Sequence, residues 1–180
     1  VNQPNISDIY KKLKKVNFKG KVALIIGGSR GLGEYTAKML ASSGALVIIT
    51  YSEGENDAIK IKNEINKFGS TCYCIKMNVT KPTAAFIEIK LLNLNITHVY
   101  YFASPKIKES RNTNIDKILY KKYLIIYVEA FKNIIKLMCS FYGNNFILFY
   151  PSTIYATEGS NIFKEYINAK LKAEKEISIL

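Results

Sequence analysis

Short, nearly continuous apolar runs alternate with amphipathic stretches along most of this chain. The runs hold hardly any polar position, whereas apolar residues recur with helical spacing in the stretches between them, and a glycine often ends these stretches. A strand without a polar face must be covered on both sides, as in a parallel sheet between two layers of helices. The pattern predicts strands at 22–26, 45–51, 72–77, 97–103 and 145–150, and helices at 32–43, 56–68, 84–92, 116–142 and 163–179.

This repeated alternation of strand and helix predicts an α/β fold with a doubly wound parallel sheet, the Rossmann fold. Because crossovers between parallel strands are right-handed, the expected strand order is 3-2-1-4-5. Residues 1–18 are predicted to form a basic amphipathic lead-in helix, and residues 19–180 a single domain.

The composition is that of an ordinary globular chain of 180 residues, with 48% hydrophobic and 22% charged residues. No apolar run reaches the roughly 18–20 residues of a membrane span, and the N-terminus lacks the pattern of a signal peptide. The first residue is Val1 rather than Met, so we expect the sequence to begin within a longer protein.

Neither the net charge of +12 nor the cysteines indicate a specialised binding site. Of the 26 basic residues only Arg30 and Arg111 are arginine, the side chain that best matches phosphate and guanine, so nucleic acid is not an expected partner. Cys72 and Cys74 alternate within a predicted strand with no histidine nearby, which indicates buried thiols and no metal. Reduced thiols favour a reducing compartment, the cytoplasm.

A glycine-rich loop joins the first predicted strand to the first helix of the domain. Its glycines follow the spacing G-x-x-x-G-x-G at Gly27, Gly31 and Gly33. The first permits a tight turn, the second lets the backbone approach a pyrophosphate, and the third lets helix and strand pack closely. Free amide groups at the helix N-terminus would face the phosphates. The loop predicts a dinucleotide site formed by Gly27, Ser29, Arg30, Gly31, Leu32 and Gly33.

The segments GKVALIIGGSRGLG and GALVIITYSEGENDA, with a later Y-x-x-x-K, resemble the short-chain dehydrogenase/reductase family. The likeness is greatest to its ketoreductase branch, such as 3-oxoacyl-carrier-protein reductases, and extends over about residues 19–180. It implies an NAD(P)-binding Rossmann domain that stops before the family's last strands and substrate lid. Ile26 stands where the family usually has Thr before the first glycine.

The end of the second predicted strand indicates which nicotinamide cofactor is used. NAD-specific sites place an acid there, on the ribose 2′-hydroxyl, but this chain has Tyr51 and Ser52. Arg30 lies where NADP-using relatives often carry a base, and Glu53 is expected in the turn beyond the strand. NADP is therefore predicted over NAD. The resemblance further implies contacts of the cofactor with Asn78, Val79, Ala103 and Lys170.

Tyr166 and Lys170 are four residues apart and so share one face of the last predicted helix. An ammonium group beside a phenol stabilises the phenolate, so the tyrosine can exchange a proton with a substrate oxygen. The family also places a hydroxyl on that oxygen. Thr153 precedes Tyr166 by the family's usual 13 residues and is slightly favoured, with Ser152 as the alternative.

Two departures from the family leave the function open. Residues 101–104 read Tyr-Phe-Ala-Ser where the family usually has Asn-Asn-Ala-Gly, and Tyr127 falls where the family's relay asparagine is expected. The first hypothesis is an NADPH-dependent reductase of a small carbonyl compound, with a 3-oxoacyl thioester of an acyl carrier or CoA as the leading substrate. The alternatives are a non-catalytic dinucleotide-binding domain and an epimerase or dehydratase. A homo-oligomer or a larger polypeptide is expected.

Overall fold

A computed structural model of the protein describes residues 3–13, 16–110, 114–155 and 162–177. Five parallel strands form one sheet in the order β3-β2-β1-β4-β5, which confirms the predicted topology. The strands are β1 (Val22–Ile26), β2 (Leu46–Tyr51), β3 (Cys72–Lys76), β4 (His98–Tyr101) and β5 (Ile147–Phe149). The helices are α1 (Ile6–Lys12), α2 (Gly31–Ser42), α3 (Glu55–Lys67), α4 (Thr83–Leu91), α5 (Lys117–Leu124), α6 (Phe131–Tyr142) and α7 (Lys164–Ile177).

The core has one layer on each face of the sheet, because successive side chains of a strand point to opposite faces. Ile25 and Ile49 pack with α2 and α3 on one face. Leu24, Ile26 and Ile48 pack with α4 and α6 on the other. The continuously apolar strands are therefore buried on both sides, as the pattern predicted.

Helix α1 packs against α2 and is fastened to the domain by a buried lysine. The Lys38 Nζ atom lies 2.8 Å from Glu34 Oε1 and 2.9 Å from Glu64 Oε2, and it donates a hydrogen bond to the Pro4 carbonyl. The Ile6 amide donates to the other carboxylate oxygen of Glu64 at 2.7 Å. The lead-in helix is thus attached to α2 and α3 by apolar burial and by backbone hydrogen bonds to the ion-paired Lys38 and Glu64.

A π-helical segment, Ile125–Ala130, interrupts the helix that the sequence predicts without a break over 116–142. Two tyrosine hydroxyls of the sheet bond to its carbonyl groups. The Tyr101 hydroxyl donates to the Ile126 carbonyl at 2.6 Å, and the Tyr150 hydroxyl donates to the Tyr127 carbonyl at 3.1 Å. Partners from the sheet therefore stabilise the wider turn, which lies directly behind the site described below.

The cysteines of β3 lie on one face of the sheet, as their alternation in the sequence predicted. Cys72 and Cys74 are free and pack on the α2–α3 side of the sheet, and burial raises the pKa of Cys72 to about 12. Within the described ranges, no three His, Cys, Asp or Glu side chains come together as a metal site would require. No helix in these ranges is both long enough and apolar enough to span a bilayer.

Candidate functional site

The glycine loop is pressed against the ends of the neighbouring strands. Gly27 has a φ of +82°, and a Cβ atom there would lie 2.8 Å from the Ala103 amide nitrogen. A Cβ atom on Gly33 would lie 2.2 Å from the Gly27 carbonyl oxygen. The amide of Gly27 donates to Thr50 Oγ1 at 3.2 Å, at the end of β2. Both positions therefore exclude any side chain, and the loop backbone is fixed between β2 and β4.

The N-terminus of α2 is open at the point where a phosphate would approach. Gly31, its first residue, has a φ of +56°, and a Cβ atom there would meet no atom within 4 Å. Arg30 occupies the N-cap position, but its side chain is turned to Asp57 and does not cap the helix. Helix-terminal amides without a side-chain cap favour an anion, so this part of the loop fits a pyrophosphate.

The end of β2 has the non-acidic character predicted for it. The Tyr51 side chain is buried, and burial together with Glu55 raises its pKa. Ser52 and Glu53 follow in an exposed bend, so Glu53 does lie beyond the strand. Gly54 lies against Arg30 and Ser29, since a Cβ atom there would be 3.1 Å from Ser29 Oγ. The loop and the strand end thus form one continuous surface.

The turn after β3 contains Asn78 and Val79, two of the residues that the family resemblance places at the cofactor. The Oδ1 atom of Asn78 accepts hydrogen bonds from the Thr80 amide at 3.0 Å and the Thr80 hydroxyl at 2.8 Å. Val79 is half-buried against the core layer of α4 and α6. Asn78 therefore holds the turn through its oxygen.

A cavity of about 240 Å³ joins the glycine loop to the last helix. Its wall includes Tyr127 and Ser104 as well as the Pro151 backbone at the end of β5. The remaining predicted residues line other parts of the loop and the strand ends. The predicted site residues brought together at this wall are Arg30, Leu32, Gly33, Ala103, Ser152, Tyr166 and Lys170.

Lys170 is buried at the back of this cavity. Its ammonium group donates a hydrogen bond to the Pro151 carbonyl and lies 4.0 Å from the centre of the Tyr150 ring and 5.1 Å from that of Tyr127. Burial lowers the pKa of Lys170 to about 8, and the charge of Glu174 opposes this shift. The ammonium form therefore still predominates at neutral pH, but the lysine loses its proton only about one pH unit above it.

Tyr166 lies one turn before Lys170 and belongs to a cluster of tyrosines. Its ring meets Tyr127 edge to face at 5.6 Å between centroids, and Tyr123 at 6.2 Å. Such edge-to-face pairs fix the plane of a ring. The packing therefore gives the Tyr166 side chain a defined place at the cavity wall.

Of the two candidate hydroxyls, Ser152 lies at the cavity. Its Oγ atom donates to Glu174 Oε1 at 2.5 Å. Thr153 is half-buried beside it and is not among the residues of the cavity wall. The position of Ser152 therefore differs from the slight preference for Thr153 that the spacing to Tyr166 gave.

Sequence reasoning did not assign a role to Ser104, Tyr150 or Glu174. Ser104 Oγ lies 3.0 Å from the Pro105 carbonyl oxygen and shares a 2.5 Å hydrogen bond with the Tyr127 hydroxyl. Glu174 follows Lys170 by four residues, a spacing that could have revealed it. No spacing in the sequence could have revealed Tyr150, because it contacts residues of the π-helical segment and of α7, which are distant in sequence.

Comparisons with known proteins match the N-terminal part of the chain in sequence and most of the chain in fold. The family model for short chain dehydrogenases matches residues 21–89. A hydroxynaphthalene reductase-like protein of Metarhizium brunneum is 42% identical over 62 residues, which are 34% of this chain and 23% of that protein. An L-rhamnose 1-dehydrogenase (NADP(+)) of Thermoplasma acidophilum is 36% identical over 67 residues, 37% of this chain and 26% of that protein. The matched segments thus span about a quarter of these relatives.

The fold extends the likeness beyond the matched segments. The crystal structure of an angucycline C-6 ketoreductase with bound NADP superimposes with a TM-score of 0.79 at 21% identity, over 88% of this chain and 65% of that one. The family model ends before Tyr166 and Lys170, so the sequence match says nothing of these two residues, and only their place at the cavity wall links them to the glycine loop. Residues 21–89, which include the glycine loop, are thus similar to short chain dehydrogenases, and the chain as a whole shares the fold of that ketoreductase.

Proposed function

We propose that this protein binds NADP(H) and reduces the carbonyl group of a small molecule to an alcohol. The observation that carries the proposal is the single cavity whose wall joins the glycine loop to Tyr166 and Lys170. Relatives named as reductases and as an NADP(+) dehydrogenase support it. A dinucleotide site and a proton donor on opposite sides of one cavity are the two parts that such a reduction needs.

The residues at the glycine loop fit the cofactor. The open N-terminus of α2 would hold the pyrophosphate, and Arg30, whose guanidinium group lies beside Gly54 just past the end of β2, would meet a 2′-phosphate there. When bound, the nicotinamide supplies the hydride. The remaining residues proposed to contact the cofactor are Gly27, Ser29, Gly31, Leu32, Gly33, Tyr51, Ser52, Asn78, Val79, Ala103 and Lys170.

The last helix and the end of β5 would supply the proton. The Tyr166 hydroxyl would give its proton to the carbonyl oxygen of the substrate, and the Lys170 ammonium would stabilise the resulting phenolate. A hydroxyl of Ser152 or Thr153 would donate a hydrogen bond to the same oxygen. The geometry favours Ser152, because its side chain borders the cavity with Tyr166.

The proposed substrate is a ketone that presents its carbonyl group to an aromatic-walled cavity. Phe102, Tyr127 and Ile107 contribute to the wall, so a flat or unsaturated group would pack well there. A 3-oxoacyl thioester remains the first substrate to test, because a basic surface suits an acidic carrier. An aromatic ketone is the second, since a relative is named for a hydroxynaphthalene.

A second function is favoured by one observation at Tyr127. The Tyr150 hydroxyl donates a hydrogen bond to the backbone carbonyl of Tyr127. Tyr127 stands where the family was expected to have the asparagine of its proton-relay water. With that carbonyl engaged, a water relay has one acceptor fewer. A dinucleotide-binding domain without turnover would show cofactor binding and no reduction of any ketone.

The test compares the full-length protein with its Tyr166→Phe variant. Calorimetric titration with NADPH should give equal affinities, because the phenol acts on the substrate oxygen and the ring packing stays intact. The turnover number for a 3-oxoacyl thioester or an aromatic ketone should fall by at least about 10²-fold, the low end for general acid catalysis. Unchanged turnover would refute the assignment of Tyr166, and binding without turnover in either protein would favour the second function.

A further inference from the structure

The Lys170 ammonium is enclosed by tyrosine rings. Its Nζ atom lies 4.0 Å from the centroid of Tyr150 and 5.1 Å from that of Tyr127, and the lysine side chain is buried. A cation within about 6 Å of an aromatic centroid is attracted by the negative face of the ring, and the attraction grows when water is excluded. Tyr150 is the closer ring, so it contributes most to this enclosure.

The Tyr150 ring is itself held in place from several directions. Its hydroxyl donates to the Tyr127 carbonyl in the π-helical segment. Its ring packs edge to face with Phe131 at 4.8 Å and stacks with Tyr101 at 5.9 Å between centroids. The ring face that Lys170 meets is therefore fixed by the sheet on one side and by the π-helical segment on the other.

We propose that Tyr150 is a positioning residue of the candidate catalytic site, whose ring face keeps the Lys170 ammonium charged and directed to the cavity. The inference rests on the proposed function in so far as Lys170 serves the reduction. It does not depend on the identity of the ketone, and its main test requires neither cofactor nor substrate.

Several groups around Lys170 contribute to its charge state. Tyr127 faces it from the π-helical segment, Tyr150 and the Pro151 carbonyl face it from the end of β5, and Glu174 and Tyr166 belong to its own helix. Arg30 lines the same cavity from the opposite side. Burial and the Arg30 charge favour the neutral amine, whereas the ring faces, the carbonyl and Glu174 favour the ammonium. The Tyr150 ring is the nearer of the two ring faces, and a substitution can weaken it without a change in formal charge.

The consequence concerns the pH range in which Lys170 could act. Burial, opposed by the charge of Glu174, lowers the pKa of Lys170 to about 8, so a weaker ring face would bring this pKa closer to neutral pH. A neutral amine stabilises the Tyr166 phenolate less well. Tyr150 would thus extend the working range of the site to higher pH.

The experiment replaces Tyr150 first by phenylalanine and then by phenylalanines of increasing fluorine content through amber-codon suppression. Fluorination withdraws charge from the ring face while its shape is nearly unchanged. The Lys170 pKa is measured by NMR with lysine labelled at the ε-carbon, and the signal is assigned by its loss in Lys170→Met. We expect a stepwise fall that reaches about one unit for the most fluorinated ring.

The matched control is Tyr142, whose ring centroid lies 4.9 Å from the Lys90 Nζ atom. The same series at Tyr142 should leave the Lys170 pKa unchanged. A Lys170 pKa that stays constant across the Tyr150 series would overturn the proposal, even if Tyr166→Phe abolishes turnover. A stepwise fall with no detectable ketone reduction would support the role of Tyr150 and refute only the proposed enzymatic function. In an active protein, the alkaline limb of the pH–rate profile should move down by the same interval.

Discussion

Arg30 is held by a carboxylate at the mouth of the glycine loop. Its Nε atom lies 2.5 Å from Asp57 Oδ2, and both side chains are exposed, at 71% and 48%. An exposed ion pair contributes about 0.2–1 kcal/mol, so a dianionic phosphate could displace it. A 2′-phosphate that reaches Arg30 must nevertheless compete with Asp57 for the same guanidinium group.

We therefore expect Asp57→Asn to tighten NADPH binding about 2–5-fold, the range that the loss of such a competing pair allows. NADH affinity should stay the same, because NADH has no 2′-phosphate. Isothermal calorimetry with both cofactors measures the two affinities. Glu53→Gln, which removes the same charge from the neighbouring bend, is the control and should not distinguish NADPH from NADH. An unchanged or weaker NADPH affinity in Asp57→Asn would contradict the proposed place of the 2′-phosphate.

The hydroxyls of Ser152 and Thr153 can be distinguished by replacing each residue with alanine. Ser152 borders the cavity and Thr153 does not, so Ser152→Ala should lower turnover by about 10²-fold, as expected for one lost donor to a developing oxyanion. Thr153→Ala should lower it by less than about 3-fold. Steady-state kinetics with the same ketone decide between them. The reverse ranking would show that spacing to Tyr166 is a better guide than the wall of the cavity.

At the scale of elements, the loop between β1 and α2 depends on two glycines for different reasons. A side chain at Gly33 would collide with the Gly27 carbonyl, and backbone cannot move aside cheaply. A side chain at Gly31 would meet no atom, so its only cost in stability would come from the positive φ of that residue.

Gly33→Ala should therefore lower the free energy of unfolding by at least about 2 kcal/mol, whereas Gly31→Ala should lower it by about 1 kcal/mol. Urea unfolding followed by circular dichroism measures both. The Gly31→Ala variant serves as the control for the general cost of alanine in this loop. Equal losses in the two variants would mean that α2 does not approach the loop backbone as closely as described.

The helices show where sequence reasoning reaches its limit. The termini of α2 and α3 lie within one residue of those predicted, because Gly44 and Gly69 end the two stretches. The predicted helix over 116–142 contains neither glycine nor proline, so nothing local indicates the π-helical segment. Its wider turn is stabilised by hydroxyls of Tyr101 and Tyr150, which belong to strands far away in sequence.

At the scale of the whole molecule, the parts of the candidate site that could be predicted are those marked by short motifs of neighbouring residues, namely the glycine loop and the Tyr166–Lys170 spacing. The strand order follows from the alternation of elements, and it brings the glycine loop and the Tyr166–Lys170 face to one edge of the sheet. The tyrosines around Lys170 could not be predicted, because each reaches the site from a different strand or helix. Only the assembled sheet shows that Tyr150 and Tyr127 face the same ammonium group.

That buried ammonium also shapes the pH dependence of stability. The folded-state pKa of Lys170 is about 8, below its ordinary value of 10.5, so the folded protein binds this proton more weakly than the unfolded chain does. The resulting destabilisation is fully present below pH 8 and is relieved as the pH rises to 10.5. Its size is on the order of 3 kcal/mol from the interval between the two pKa values.

Lys170→Met should accordingly be more stable than the parent protein at pH 7, and this advantage should shrink between pH 8 and pH 10.5. Urea unfolding across this range measures the difference between the two proteins, so that other titrating groups cancel. Lys38→Met is the matched control. Its ion pairs with Glu34 and Glu64 raise the Lys38 pKa, so its loss should destabilise the protein throughout this window. A stability difference between Lys170→Met and the parent that is independent of pH would show that Lys170 keeps its ordinary pKa in the folded protein, and that the tyrosine rings and Glu174 fully offset its burial.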